Sequence, residues 1–277
     1  MVVLGVQERL ALADRVAALC QQAGEAITAI YLSSQPLVVE QKADSSPVTV
    51  ADLESHQIIV KGLSQLAPSC PILSEEQSIP SFAERSQWAR YWLVDPLDGT
   101  KEFIGRTGEF TINIALIEQG LPVLGVVYLP LVKIAYIGVA GESAWREDAM
   151  GRVELRVNDR GQDEKVRVLT SSRHKGEYLQ ACLDRLEQHF GGVERIKVGS
   201  ALKFCHLAEG LGDIYPRFSP CSEWDTAAGQ AVLEAAGGQL VDIDFRRFSY
   251  NYKESLINPH FYAFGAANVD WRAVLDG

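Results

Sequence analysis

Residues 92–100 read Trp-Leu-Val-Asp-Pro-Leu-Asp-Gly-Thr, an apolar run that leads straight into two acids, Asp95 and Asp98, bracketed by proline and glycine. The apolar half reads as a strand. Pro96 fixes one φ, and Gly99 permits a turn that a side chain would forbid, so both carboxylates and the intervening Leu97 carbonyl can converge on one point. Hard oxygen ligands at short range suit Mg²⁺, which favours one or two carboxylates with water and substrate phosphate. A helix beginning at Gly99 would also turn free backbone N–H groups toward an anion. Taken alone, Asp-Pro-x-Asp-Gly reads equally well as a surface turn.

Three further acids shift that balance. Glu75, followed by Glu76, ends a short apolar run at 71–74, which could carry a carboxylate to the same sheet edge, although a solvated Glu-Glu turn reads as well. Asp52 stands three positions after Thr49, the spacing of a helix capping box. Asp225 lies after Trp224 and just before a helical pattern at 226–236, where it could simply complement the helix dipole. Together, five acids at element ends favour a multi-metal site, because the chain has no phosphate loop G-x-x-x-x-G-K-[ST], no G-x-G-x-x-G, no H-E-x-x-H and no G-x-S-x-G.

Outward from this segment, apolar residues at Leu10, Ala13, Val16, Cys20, Ala23 and Ile27 predict a helix over 6–31, and Leu53, Ile59, Leu63 and Leu66 predict a second over 49–66. Short apolar runs at 71–74 and 91–94 read as strands, and an antiparallel meander follows at 111–117, 122–129, 133–139 and 144–147. A charge-rich stretch over 148–165 looks like a boundary. Beyond it strands at 166–170, 195–198, 213–218, 239–243 and 261–265 alternate with helices at 175–190, 200–209 and 224–236, and a terminal helix starts near Val269. The expectation is an N-terminal α+β domain over 1–147 that carries most of the acids, and a C-terminal α/β domain over 148–277 that carries Asp225.

Composition narrows the function. The 277 residues hold 26 Lys+Arg against 36 Asp+Glu, a formal charge of −10, and are 47% apolar, an ordinary globular balance that excludes disorder. No basic run exceeds the Arg246-Arg247 pair, so a nucleic-acid polymer is an improbable partner. The first residues lack the basic start of a signal peptide, and charge-free stretches such as 26–39 and 119–132 fall short of the ~20 residues of a membrane helix, so a cytoplasmic protein is expected. Five widely spaced cysteines with no C-x-x-C indicate neither a disulfide framework nor zinc. The five histidines are scattered, and only His174 is kept as a candidate, for its neighbourhood.

The segments Asp44-Ser45-Ser46-Pro47-Val48-Thr49-Val50-Ala51-Asp52, LSEE (73–76), WLVDPLDGT (92–100) and WDTAAGQAVLEAAGG (224–238) resemble the ordered motif set of the inositol monophosphatase superfamily of Mg²⁺-dependent, lithium-sensitive phosphatases. Lys101-Glu102-Phe103, the segment GSALKFC (199–205) and Tyr215-Pro216-Arg217-Phe218 are similar to its 3′(2′),5′-bisphosphate nucleotidase branch. The resemblance implies a layered α-β-α-β-α sandwich of the inositol monophosphatase/fructose-1,6-bisphosphatase type and two or three Mg²⁺ per site. It makes Glu75, Asp95, the Leu97 carbonyl, Asp98 and Asp225 the metal ligands, and Asp52 and Thr100 the pair that positions and activates the attacking water. The backbone of Gly99 and Thr100 would hold the phosphate undergoing transfer. Gly199, Ser200, Lys203 and Arg217 would hold the rest of the nucleotide, with Ser172 and His174 as neighbours. Lys203 also reads as a solvated helix residue, and Arg217 as a cation–π partner of Tyr215 or Phe218.

The activity so implied is removal of the 3′-phosphate of adenosine 3′,5′-bisphosphate, with inositol phosphates, fructose 1,6-bisphosphate or a sulfated nucleotide as alternative substrates and a non-catalytic metal- and phosphate-responsive regulator as a different class. Ala201 departs from the serine expected in this branch. Relatives by this resemblance are monomers or small homo-oligomers, some peripheral on the inner face of a membrane, although no basic amphipathic anchor is present here. The five assigned acids bring −5 to one pocket, which two Mg²⁺ would take to −1 and three to +1.

Overall fold

The computed structural model describes residues 4–34, 37, 39–41, 47–66, 70–160, 165–171 and 176–275. Two long helices, α1 (Val6–Leu32) and α2 (Val50–Leu66), flank a small hairpin of β1 (Val39–Gln41) and β2 (Pro47–Thr49). The chain continues through β3 (Ile72–Ser74), α3 (Phe82–Arg85), β4 (Arg90–Asp98), α4 (Thr100–Ile104), β5 (Thr111–Glu118), β6 (Leu121–Leu129), β7 (Ile134–Val139), β8 (Ala144–Asp148) and β9 (Gly151–Leu155). Strands β3 to β9 form one seven-stranded sheet in sequence order, parallel between β3 and β4 and antiparallel elsewhere.

The remaining elements are β10 (Val166–Thr170), α5 (Glu177–Phe190), β11 (Val193–Lys197), α6 (Leu202–Ala208), β12 (Ile214–Arg217), a 3₁₀ turn (Glu223–Asp225), α7 (Ala227–Ala235), β13 (Gln239–Asp242), β14 (Phe261–Phe264) and α8 (Trp271–Leu275). Their strands form a second sheet in the order β11-β10-β12-β14-β13.

Every residue of β5 is buried, which requires cover on both faces of the first sheet. Ile112, Ile114 and Leu116 face a core shared with α1 and α2, and Ala115 and Ile117, pointing the other way, join a core with Phe204, Ala228 and Val232 of α6 and α7. That second core runs on to Tyr215, Leu240 and Phe261 of the second sheet, whose far face packs against Leu183, Leu186, Trp271 and Val274 of α5 and α8. The layers are therefore α, β, α, β, α, the expected sandwich.

Close approach of α7 to the first sheet depends on two glycines. Gly125 on β6 and Gly138 on β7 are register partners, and a Cβ at either would sit 2.4 Å from a backbone carbonyl of α7, Ala228 at one and Ala231 at the other. With no side chains there, the helix rests on bare backbone, and Asp225 just before it is held against the sheet that carries Asp95.

Three sequence expectations shift. The strand expected at 91–94 extends to Asp98, with its register broken between Asp95 and Asp98. The helix expected over 224–236 is a 3₁₀ turn and then α7, separated by Thr226. The boundary expected after 147 falls inside β8, and the first sheet runs on through β9 to Leu155. Polar residues misled there because β9 is an edge strand whose residues are exposed up to Leu155, so it lacks the apolar alternation that marks a half-buried strand.

Candidate active site

The register break in β4 sets the site. Asp95 still pairs with Asn113 across β5, whereas Asp98 pairs with Thr111, so two residues of β4 between them lie outside the ladder. Asp95 is 1% exposed, and its Oδ1 accepts the Leu97 N–H at 3.0 Å, which curls the chain around the carboxylate. The Pro96 carbonyl is fixed by the Ser55 hydroxyl at 2.8 Å. Gly99 then takes φ +93°, and a Cβ there would lie 3.0 Å from the Glu109 carbonyl, so only glycine turns the chain into α4 without strain.

Parallel pairing with β4 brings Glu75 to the same sheet edge: its N–H donates to the Val94 carbonyl at 3.1 Å, one residue before Asp95. Across from them stands Asp225. Ligand oxygens of Glu75, Asp95 and Asp225 lie within 4.8 Å of one another, although the three residues are far apart in sequence. Asp98 is outside this triad yet close enough for its charge to raise both Asp95 and Asp225.

Burial and mutual repulsion leave their mark on these groups. The Asp95 carboxyl is pushed well above the usual carboxylate range, first by burial and then by Glu75, Asp98 and Asp225. Burial and then Asp98 and Glu75 push Asp225 up to about 8. Asp98 is also raised by burial, though the Lys203 ammonium opposes it. Oxygen-only donors at this spacing, destabilised as anions, fit a hard divalent cation.

Two acids do two jobs at once. Asp52, 1% exposed, accepts the Thr49 N–H at 2.8 Å and the Thr49 hydroxyl at 2.6 Å on Oδ2, while Oδ1 accepts the Thr100 hydroxyl at 3.1 Å. The helix cap and the bond into the site use different oxygens of one carboxylate. Asp225 likewise caps its turn, accepting the Ser222 N–H at 2.9 Å on Oδ2. For Asp52 the capping explanation and the site explanation hold together; Asp225 caps its turn, where the sequence suggested only a partner for the helix dipole. Thr100 Oγ1 also stands 3.4 Å from the Leu97 carbonyl, but its single proton goes to the closer, charged Asp52.

The second half of the chain meets Asp98. The Ala201 N–H donates to Asp98 Oδ2 at 2.6 Å, and Asn113 Nδ2 at 3.4 Å and the Thr111 hydroxyl at 3.5 Å reach the same oxygen. Because this contact is made by backbone, alanine in place of serine at 201 does not remove it. Ser200 just before it has φ +42°. Lys203 is 3% exposed, with Nζ donating to the Ser200 carbonyl at 2.7 Å and the Val198 carbonyl at 3.2 Å, and burial pushes it down to about 8. It is not a solvated helix residue. Arg217 donates to the Ser219 carbonyl at 3.2 Å, the Tyr215 hydroxyl at 3.1 Å and the Pro220 carbonyl at 3.0 Å, so its partner on Tyr215 is the phenol oxygen; the ring of Tyr215 is instead approached by Lys203 at 5.1 Å.

A cavity of about 180 Å³ opens between the acids and these cations, lined by Asp98, Gly99, Ser200, Lys203, Arg217 and Asp225, and also by Lys101, Glu102, Ser171, Tyr215 and Thr226. Ser172 and His174 lie outside the described residues, as do positions 44–46 of the first motif. Ser55, Asn113 and Thr111, which brace Pro96 and Asp98, escaped the sequence reading: as single polar residues in a helix and a strand they carry no local signal. His56 bonds the Ser74 hydroxyl at 2.9 Å through Nδ1, one residue from Glu75, and so supports the strand end.

A two-sheet sandwich with a cluster of three acids beside a cavity lined by lysine and arginine is an arrangement that could hold a divalent cation next to a small anion. A family model described as the inositol monophosphatase family matches residues 9–270, and the chain belongs to that family. Two curated relatives, the 3′(2′),5′-bisphosphate nucleotidases CysQ of Salmonella typhimurium and Escherichia coli K12, are each 46% identical over 248 residues, 90% of this chain and 97% of theirs. Among solved structures, CysQ from Bacteroides thetaiotaomicron superposes with a TM-score of 0.79 at 37% identity, covering 92% of this chain and 98% of that one. Among the described residues no helix is long and apolar enough to cross a membrane.

Proposed function

We propose that the protein is a Mg²⁺-dependent 3′(2′),5′-bisphosphate nucleotidase that hydrolyses the 3′-phosphate of adenosine 3′,5′-bisphosphate to give AMP and inorganic phosphate. The observation that carries this reading is the convergence of Glu75, Asp95 and Asp225 beside a cavity walled by Lys203 and Arg217, in a chain 46% identical to two nucleotidases of that name. Glu75, Asp95, Asp98, Asp225 and the Leu97 carbonyl would hold the cations. Mg²⁺ there would supply acidification of a water and charge neutralisation on the phosphoryl and leaving oxygens.

The chain's own groups account for the rest. The Thr100 hydroxyl gives its proton to Asp52, which leaves its lone pairs to accept a hydrogen bond from the attacking water. Asp52 is raised by burial and so is a better base than an exposed aspartate, suited to take that water's proton through Thr100. Backbone N–H groups of Gly99 and Thr100 would orient the phosphate in line with the water. Lys203 and Arg217 hold their own backbone turns and set a positive wall for the nucleotide. The resemblance adds Ser172 and His174 as neighbours of the nucleotide; both lie outside the described residues.

Phosphate release from adenosine 3′,5′-bisphosphate, inositol 1-phosphate and fructose 1,6-bisphosphate, with Mg²⁺ and then with EDTA, tests the reading. Release from the nucleotide that EDTA abolishes is the expected result. Preference for either sugar phosphate would overturn the substrate, and no release from any would overturn the enzyme.

A further inference from the structure

Lys101-Glu102-Phe103 follows directly on the Asp-Gly-Thr turn, and the nucleotidase activity proposed above gives only its neighbours a role. Phe103 is accounted for by packing: its ring centroid lies 5.2 Å from those of both Tyr31 and Phe110 in the core. Lys101 is not. Among the described residues three cations line the active cavity, Lys101, Lys203 and Arg217, and they differ in what they already hold. Lys203 Nζ is committed to two carbonyls, and Arg217 uses Nε and both terminal nitrogens on Ser219, Tyr215 and Pro220. Lys101, exposed at the cavity, makes no side-chain hydrogen bond or ion pair among the described residues.

The backbone beneath Lys101 is nevertheless fixed. Its carbonyl accepts the Gly105 N–H at 2.9 Å, and the residue before it, Thr100, is tied to Asp52. An ammonium with all three donors free, on a rigid stub beside the phosphate-binding turn, can stretch to a second anionic group without breaking any internal bond. Lys203 cannot do so at the same cost, since the Val198 carbonyl it releases would be left buried and unpaired, and Arg217 would have to give up bonds to Ser219, Tyr215 or Pro220.

We infer that Lys101 reads the phosphate that is not cleaved, and so selects bisphosphorylated over monophosphorylated nucleotides. This rests on the proposed nucleotidase activity. Lys203 and Arg217 then shape the wall and its potential, while Lys101 supplies the contact that tells the two substrates apart.

The test compares Lys101→Gln and Lys101→Arg with the unmodified protein, measuring phosphate release from adenosine 3′,5′-bisphosphate and from adenosine 3′-monophosphate with Mg²⁺. For Lys101→Gln, KM for the bisphosphate should rise roughly tenfold with kcat changed by less than about twofold, the loss expected for one charge-assisted bond. The ratio of kcat/KM between the two substrates should fall by the same factor, and Lys101→Arg should restore most of it. An unchanged ratio, or a fall in kcat rather than a rise in KM, would overturn the inference while leaving the activity standing. Failure of the unmodified protein to release phosphate from either nucleotide would instead overturn the activity on which it rests.

Discussion

Removing the metal should make the protein less stable as pH rises from 5 to 7, and Asp225→Asn should remove part of that slope. Asp225 is pushed from 3.8 up to about 8 in the folded chain, so the fold holds its proton where the unfolded chain has lost it. A carboxyl raised in this way contributes stability that is full below its unfolded value and is lost as pH climbs toward the folded one. Over those two pH units the loss would be about 2–3 kcal/mol for a fully shielded group, and about 1–2 kcal/mol once its partial exposure is counted. For a chain of this size that is roughly 3–6 °C in Tm.

Asp52, Asp95 and Asp98 are raised and act in the same direction, while His56 and His206, lowered by burial, oppose it below about pH 6.5. The difference between unmodified protein and Asp225→Asn therefore isolates the group, because asparagine is isosteric and its carbonyl can still accept the Ser222 N–H. The assay is thermal unfolding of chelator-stripped protein at pH 5, 6 and 7, repeated with Mg²⁺. The unmodified protein should lose several degrees more than the variant, and Mg²⁺, which binds the ionised carboxylates, should stabilise it most at pH 7. Parallel curves for the two proteins in the absence of metal would refute the claim that Asp225 is strained as an anion.

Other perturbations separate chemistry from folding. Asp95→Asn should abolish Mg²⁺-dependent phosphate release while circular dichroism and cooperative unfolding persist; near-normal turnover would remove Asp95 from the site. Thr100→Val deletes the hydroxyl bonded to Asp52 without changing shape, and should lower kcat on the order of a hundredfold with KM little affected, as read by steady-state phosphate release. Gly99→Ala places a Cβ at a positive φ and 3.0 Å from the Glu109 carbonyl, and should cost about 1–2 kcal/mol in urea unfolding as well as most of the activity.

The fold and the Asp95–Asp98 turn could be read in the sequence because each rests on contiguous pattern, whereas the ligand roles of Glu75 and Asp225 came from the family resemblance. The α1 stripe and the β5 to β7 runs are long enough to show their period, and Asp95 and Asp98 announce themselves through proline and glycine. What escaped is what depends on pairing. The strand β9 is an exposed edge, and Asn113 matters only because the break in β4 puts Asp98, rather than Asp95, within reach of its amide. The burial of Lys203, whose ammonium bonds the Val198 and Ser200 carbonyls, is likewise invisible in the sequence, where a lysine in a helix reads as solvated. The capping reading of Asp52 posed a choice that the structure dissolves, since one oxygen caps the helix and the other accepts the Thr100 hydroxyl.

That two-oxygen logic also resolves how a chain of net charge −10 can present a site for an anion. Glu75, Asp95 and Asp225 are gathered in one cluster, within 4.8 Å of each other. The cavity beside it is lined by Lys101, Lys203 and Arg217 as well as by Asp98 and Asp225, and Asp98 links the cluster to the second half of the chain. Its Oδ2 is taken by Ala201 of that half and by Asn113 and Thr111 of the first sheet, while its Oδ1 has no partner among the described residues. Neutralising the cluster would therefore do more than admit a phosphate. It would relieve the repulsion that Asp98 exchanges with Asp95 and Asp225, and leave Asp98 to hold the turn at Ala201 in place. Cation loading would thus act on Asp98 and, through its bond from the Ala201 N–H, on the turn before α6. Global surplus charge says little about which ligand can enter, because sign is decided site by site.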